Sequence, residues 1–282
     1  MPNDQQRRSG AFASCLTLLA IAVGLALLGN LIMRVINREP VIQPLQGCTV
    51  VVDDHSSFID LEQAGNVAII SAAAIGEGLP ARATTLGIVT AWQESSLRNL
   101  DYGDRDSLGL FQQRPSQGWG TVEQIMDPWY SSRKFYSELV RLVPGWETGD
   151  INDVAQAVQR SGFPEAYRKH EQNGRVWASA LNGYSPHSVT CVVRDGSTMN
   201  SEPILYLLQQ AYRDALSIRQ EENVLVIEHS SAEVRWSVAQ LAMLVPETGL
   251  QSVRVDDWAW SVNGEWTQVA PSDNVVRLEF RA

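Results

Sequence analysis

The order of hydrophobic and polar positions divides the chain into three regions. Residues 11–33 form an uncharged, mostly apolar run of 23 residues, and at about 1.5 Å per residue such a helix crosses a hydrocarbon core of about 30 Å. Between Cys48 and about Tyr184 the apolar positions recur with helical spacing, and from Ser201 strand-like alternation becomes frequent. The pattern predicts an N-terminal transmembrane helix, then a mainly α domain, then a small α/β (α+β) domain.

Helix start signals support the central region. Pro80 is expected to open a helix over 81–95, Asp127-Pro128 a second helix to Val143, and Asp150 to cap a third over 151–161. We therefore expect an all-helical domain over residues 48–190.

The C-terminal region, residues 201–282, has a mixed pattern. It predicts a helix through Arg219, a strand over 223–228, a helix opened by a Ser230-x-x-Glu233 capping box, and a strand over 251–255. Residues 258–262 and 265–269 flank Asn263-Gly264, which is a strong hairpin signal, and 275–280 would add an edge or final strand. About 80 residues of this kind predict a small domain with a viable core.

The apolar run also bears on location. It is longer than the usual apolar region of a cleaved signal, about 7–15 residues, and no A-x-A site follows it. An uncleaved signal anchor is therefore preferred, although the cleaved signal stays open. We expect a cytoplasmic tail over 1–10, a linker over 34–47 that contains Pro40 and Pro44, and a single pass through the cytoplasmic membrane with the C-terminal bulk outside.

Charge and cysteine content narrow the function class. A formal net charge of −10 without a Lys/Arg cluster argues against nucleic acid as a partner. Of the three cysteines, Cys15 lies in the apolar run, whereas Cys48 and Cys191 bracket the central region. These two either form a disulfide, in an oxidising compartment, or are two buried thiols.

The candidate catalytic group is Glu94, at the end of the helix predicted over 81–95. Thr90 and Ala91 lie one turn before it, so the carboxyl emerges from a largely apolar face, where its pKa can be raised enough to retain a proton near neutral pH. A polar segment follows, in which Gly109 permits close backbone approach and Gln112 offers an amide to a sugar. These residues could line a cleft.

The stretch resembles the lytic transglycosylase (SLT) family of lysozyme-like enzymes, whose signature is a catalytic Glu-Ser followed by Gly-Leu-Met-Gln. Here Glu94-Ser95 is followed at the family spacing by Gly109-Leu110-Phe111-Gln112, with Phe in place of Met. The resemblance covers residues 66–181 and implies a lysozyme-like helical fold, peptidoglycan as substrate and no cofactor. It also implies that Glu94 protonates the bond between N-acetylmuramic acid and N-acetylglucosamine and then acts as base on the muramyl C6 hydroxyl.

The third family motif, Ala-Tyr-Asn-Ala-Gly, falls on residues 157–161, where Tyr is absent. Tyr167 and Tyr102 are the candidates to replace that Tyr, and Gln159 is the candidate to stand in for the Asn. Trp119 could stack on a sugar ring or fill the core. The residues expected to bind substrate are Ser95, Gly109, Leu110, Phe111, Gln112, Trp119, Gln159 and Tyr167.

Two rival functions stay open. The first is a hydrolytic muramidase, which needs a second carboxylate across the scissile bond. The candidates are Asp101, Asp104 and Asp106 in the loop after Glu94. The alternatives for these three residues are solvated loop charges or a weak Ca²⁺-like cluster of oxygen ligands, which lacks the full spacing of a calcium loop. The second is a catalytically silent cell-wall-binding or scaffold module, which the altered third motif favours. The four dispersed His residues predict no metal site. An envelope protein could bind the C-terminal domain.

Overall fold

A computed structural model describes Leu28 and residues 45–163, 165–194, 196–271 and 273–282. Residues Leu45–Ala282 form one compact unit. The described part of the chain holds eight α-helices and nine strands, and the strands form two sheets.

The first sheet is antiparallel and has the strand order β2-β1-β3. Strand β1 spans Gly47–Val52, β2 spans His55–Ile59 and β3 spans Val189–Val192. The run Thr49-Val-Val-Val52 favours this structure because β-branched side chains fit a pleated surface. The sheet therefore joins the beginning of the helical region to its end.

Six α-helices lie between β2 and β3 in the described part of the chain. The longest of them, α1, is capped by Asp60, whose carboxylate accepts from the Gln63 N–H while the Gln63 side chain accepts from the Asp60 N–H. The bounds are Leu61–Gly76 for α1, Ala81–Ser95 for α2, Val122–Ile125 for α3, Pro128–Leu142 for α4, Ile151–Gln159 for α5 and Glu171–Leu181 for α6.

The second sheet has six strands in the order β4-β5-β9-β6-β7-β8. One face of it, which includes Leu225, Ile227 and Leu278, belongs to the same hydrophobic core as the helices. The bounds are Glu202–Tyr212 for α7, Ser217–Glu221 for β4, Val224–Glu228 for β5, Ala232–Met243 for α8, Leu250–Val255 for β6, Trp258–Ser261 for β7, Thr267–Gln268 for β8 and Val275–Phe280 for β9.

Helix α8 packs against both the helical region and the second sheet. Its fully buried Gln240 accepts hydrogen bonds from the backbone N–H groups of Ser188 and Val189, both at 3.1 Å, and donates to the Ala180 carbonyl at 2.7 Å. Both the oxygen and the nitrogen of the Gln240 side chain thus form hydrogen bonds with the backbone. Because these buried polar atoms have partners, their burial carries little cost. The second sheet is therefore fixed to the end of α6 and the start of β3.

The predicted fold class, a transmembrane helix followed by a mainly α domain and a small α/β domain, is wrong. The helical region contains its own three-stranded sheet, and the second sheet has six strands. Residues 48–59 were predicted as part of an all-helical domain, although this segment contains a run of β-branched residues. The chain forms two strands here and turns back at Asp53, which has a φ of 51°. Residues 11–33, apart from Leu28, lie outside the described residues, and no described helix is long and apolar enough to cross a membrane.

The C-terminal elements differ in three places from the sequence predictions. The helix expected through Arg219 ends at Tyr212, where Arg213 has a φ of 52°, and Ser217–Glu221 pairs with β5 as a strand. The strand predicted as an edge or final strand, β9, is the last strand along the chain, but it lies inside the sheet, between β5 and β6. Ser231, rather than Ser230, caps α8 by accepting from the Val234 N–H.

Cys48 and Cys191 lie opposite each other in β1 and β3, with their sulphur atoms 2.08 Å apart, the distance of a disulfide bond. The two residues are 143 positions apart in the chain. A crosslink of this span restricts the unfolded chain strongly because it closes a large loop. The bond ties together the two ends of the helical region.

We expect the double variant Cys48→Ser/Cys191→Ser to have a free energy of unfolding lower by about 2–5 kcal/mol, because its unfolded chain regains the entropy of the open loop. Urea denaturation of the oxidised protein and of the variant measures the difference. Adding a reductant should lower the midpoint of the wild type and leave that of the variant unchanged. Equal midpoints for the two oxidised proteins would contradict the prediction.

Candidate active site

Helix α2 places Glu94 in its last turn, immediately before a sharp change in chain direction. Ser96 and Leu97 both have positive φ values, 55° and 62°, and their N–H groups return to the carbonyls of Trp92 and Ala91. The Leu97 side chain is fully buried, which anchors the turn in the core. Glu94 is therefore held on a fixed part of the backbone.

The Glu94 carboxyl is partly buried and has two hydrogen-bonding neighbours. The hydroxyl of Tyr167, a fully buried residue, donates to Glu94 Oε1 at 2.5 Å. Burial raises the pKa of Glu94 above its ordinary value, while hydrogen bonds from Tyr167 and Gln159 act in the opposite direction without cancelling the rise. A raised pKa is what a carboxyl needs to act as a general acid near neutral pH.

Tyr167 and Gln159 reach Glu94 from segments that come more than 60 residues later in the chain. Tyr167 precedes the short 3-10 helix Arg168–His170, and Gln159 is the last residue of α5. Gln159 Nε2 also donates to the Phe111 carbonyl at 2.8 Å. The structure thus brings together Glu94, Tyr167 and Gln159, whereas Tyr102, the other candidate tyrosine, is 67% exposed.

Three of the expected substrate-binding residues lie in the core beneath the site. Leu110 and Phe111 are fully buried, and the Phe111 ring stacks on Phe135 with centroids 4.8 Å apart. Ser95 is buried too, and its hydroxyl donates to the Leu110 carbonyl at 2.7 Å. These residues attach the loop that follows Glu94 to the end of α2.

Gly109 and Gln112 shape that loop by their backbone. Gly109 has a φ of 76°, and a Cβ atom there would lie 2.7 Å from the Ile125 carbonyl oxygen. Gln112 also has a positive φ, 48°. Its side-chain nitrogen, Nε2, lies 3.2 Å from the carbonyl oxygens of Tyr102 and Gly109. The Gln112 side chain therefore joins two parts of the loop through hydrogen bonds to its backbone.

A cleft of about 980 Å³ runs past Glu94. Gln112, Trp119 and Gln159 contribute to its walls. Trp119 is only partly buried, and its carbonyl accepts a hydrogen bond from Tyr130. Phe163 also lines the cleft, and 76% of its surface is exposed. Two aromatic side chains thus line the same cleft as the candidate acid.

The two loop carboxylates proposed for a hydrolytic mechanism have different surroundings. Asp106 accepts from Arg114 Nε at 2.6 Å and from the Ser116 N–H at 2.9 Å, and hydrogen bonds from Ser116 and Arg114 hold its pKa well below the usual range. Asp104 lines the cleft, its side chain is 92% exposed, and its nearest ion-pair partner is Arg105 at 3.8 Å.

Phe163 and a charged wall of the cleft on α4 were not predicted from the sequence. This wall contains Lys134, Glu138 and Arg141. Their i, i+4 and i+7 spacing places them on one face of the predicted helix. Nothing in the spacing indicates that this face borders Glu94, because the neighbours of a helix face depend on the tertiary fold.

Among the described residues, no group of three or more His, Cys, Asp or Glu side chains could hold a metal ion. A scan of the chain against protein-family models gave no match, and a search of curated proteins gave none either.

We expect Gly109→Ala to destabilise the protein more than Gly145→Ala does. Both glycines have a φ near +76°, and an alanine at such an angle costs about 1–2 kcal/mol. The added Cβ meets the Ile125 carbonyl at position 109 but nothing within 4 Å at position 145. Thermal or urea denaturation of both variants isolates the close contact, and equal losses of stability would show that the loop does not need the small residue.

Proposed function

We propose that the protein is a glycan-cleaving enzyme of the lytic transglycosylase type, which acts on peptidoglycan strands with Glu94 as its catalytic acid and base. The observation that carries this proposal is the partly buried Glu94 carboxyl, with its raised pKa, beside an open cleft. The Glu-Ser and Gly-Leu-Phe-Gln motifs at residues 94–95 and 109–112 support the choice of substrate through their resemblance to that family.

In the proposed reaction, protonated Glu94 donates its proton to the oxygen between N-acetylmuramic acid and N-acetylglucosamine, and the bond from that oxygen to the muramyl C1 breaks. The resulting carboxylate then removes the proton from the muramyl C6 hydroxyl, whose oxygen bonds to C1. One product ends in a 1,6-anhydro sugar, and the other begins with an N-acetylglucosamine that carries a free hydroxyl. Glu94 is again protonated. One carboxyl serves both steps, so no water is consumed.

Tyr167 and Gln159 would act as positioning residues for this carboxyl. Hydrogen bonds to a carboxylate favour its charged form, so both side chains stabilise the state that follows proton donation. Tyr167 is itself a poor proton donor, because burial and the neighbouring Glu94 raise the pKa of its hydroxyl above the usual range. The proton that moves is therefore that of Glu94.

The surroundings of Asp106 and Glu138 make these two residues poor candidates for the second carboxylate of a hydrolytic mechanism. A hydrolytic enzyme needs a second carboxylate with an oxygen that can accept a proton from water or attack the sugar. Both oxygens of Asp106 are occupied by Arg114 and Ser116, and both oxygens of Glu138 by Lys134 and Arg141. Asp104 is the loop carboxylate that a hydrolytic reaction would use.

We also propose a location outside the cytoplasm. Cys48 and Cys191 lie at disulfide distance, and disulfides persist mainly in oxidising compartments. A peptidoglycan substrate requires the same location.

Digestion of purified peptidoglycan by wild type, Glu94→Gln and Asp104→Asn, with products resolved by mass spectrometry, tests the proposed reaction. We expect anhydromuropeptides from the wild type and from Asp104→Asn, and none from Glu94→Gln, since the amide cannot donate or accept the proton. Reducing-end products that require Asp104 would instead indicate a muramidase. Binding to the wall without any product would indicate a silent binding module.

Tyr167→Phe should shift the pH dependence of cleavage as well as slow it. The variant loses a hydrogen bond that lowers the Glu94 pKa, so this pKa rises further. Because the general acid must be protonated, the alkaline limb of the kcat/KM profile should move to higher pH. A slower enzyme with an unmoved limb would contradict a direct role of the Tyr167 hydroxyl at Glu94.

Phe163→Ala should weaken glycan binding about three- to tenfold, because an exposed ring in the cleft can stack on a sugar face. Tyr184→Ala is the matched control, since Tyr184 is 65% exposed but does not line the cleft. Calorimetry with a chitotetraose on the Glu94→Gln background measures binding without turnover. Equal affinities for both variants would exclude Phe163 as a sugar contact.

A further inference from the structure

The cleft that contains Glu94 is rich in cations, although the whole protein has a formal net charge of −10. A locally positive field can concentrate anions at a site even when the protein as a whole is negative. The effect is larger where low-dielectric walls enclose the site. The cationic side chains that line this cleft are Arg105, Arg114, Lys134, Arg141 and Arg160.

Two of these cations are balanced by carboxylates. Arg114 Nε lies 2.6 Å from Asp106 Oδ1, a close ion pair. Arg105 lies 3.8 Å from Asp104, and both side chains are largely exposed. The carboxylate of Asp106 offsets the charge of Arg114, and solvent screens the exposed charges of Arg105 and Asp104. Neither arginine therefore gives the cleft a strong positive field.

The wall on α4 is different, because one carboxylate serves two cations. Glu138 Oε1 accepts from Lys134 Nζ at 2.8 Å, and Oε2 accepts from Arg141 Nε at 3.0 Å. Glu138 is 8% exposed, while the side chain of Arg141 is 64% exposed. The buried carboxylate thus fixes both cations and leaves positive charge facing the cleft.

Arg160 adds a second uncompensated charge. It follows α5 with a φ of 55°, directly after Gln159 and three residues before the exposed ring of Phe163. Within the part of the chain that the structure describes, no carboxylate pairs with Arg160. Its guanidinium is therefore available to a ligand, and it can bind a planar carboxylate or a phosphate through two N–H groups.

We propose that the cleft holds a subsite for an anionic substituent of the glycan strand, a carboxylate or a phosphate, formed by Lys134, Arg141 and Arg160. The inference rests on the proposed function and adds to it a preference for charged over neutral glycans. Glu138 acts in it as a positioning residue that holds Lys134 and Arg141.

The test measures binding to the Glu94→Gln protein by calorimetry, so that turnover does not interfere. The ligands are a GlcNAc–MurNAc tetrasaccharide with free lactyl carboxylates, the same oligosaccharide with those carboxylates converted to methylamides, and a chitotetraose with and without a 6-phosphate. At low salt we expect at least one of the two anionic ligands to bind more tightly than its neutral counterpart, by on the order of tenfold. A gain with the lactyl pair identifies a carboxylate as the ligand, and a gain with the phosphate pair identifies a phosphate.

Arg160→Gln and Arg141→Gln should each reduce this preference, and the double variant should abolish it. Arg160→Lys should retain part of the preference, because the positive charge remains while the paired N–H contact is lost. Arg175→Gln is the control, because Arg175 is paired with Glu171 and does not line the cleft. Equal affinity for charged and neutral ligands, or a preference that survives the double variant, would overturn the subsite.

This result is independent of the cleavage experiment. A charge preference without Glu94-dependent products would keep the subsite and reject the enzyme. Glu94-dependent products without a charge preference would keep the enzyme and reject the subsite.

Discussion

The partial burial of one carboxyl is the constraint on which the rest of the site depends. Glu94 projects from the last turn of α2, and burial there raises its pKa, so the proton is retained where an exposed glutamate would lose it. Ser95 and the turn at Ser96 and Leu97 fix the helix end. Tyr167 limits the rise in the pKa and orients the carboxyl.

The sequence was sufficient for the local parts of this arrangement. Pro80, Asp127 and Asp150 lie at the starts of α2, α4 and α5, because helix starts depend on residues a few positions apart. The role of Tyr167 could only be offered as a candidate, since it lies 73 residues from Glu94 in the chain. The motif residues Leu110 and Phe111 were predicted to bind substrate, but a motif does not say which side chains point into the core.

The fold was predicted less well where segments are short and pairing is long-range. The strand β3 completes a sheet with β1, more than 130 residues earlier in the sequence, and β4 forms from a fully exposed segment with no alternation of burial. Strand formation at such places depends on a partner rather than on the local pattern. The charged wall of α4 was missed for the same reason, because its position beside the cleft follows from tertiary packing.

The proposed mechanism requires the Glu94 carboxyl to hold its proton more tightly than an ordinary glutamate does. Carbon-13 NMR of protein labelled at glutamate side-chain carboxyls, with the Glu94 signal assigned by its absence in Glu94→Gln, measures this directly over a pH titration. We expect Glu94 to titrate clearly above the usual value of about 4.3. A titration at or below that value would contradict the assignment of Glu94 as the general acid.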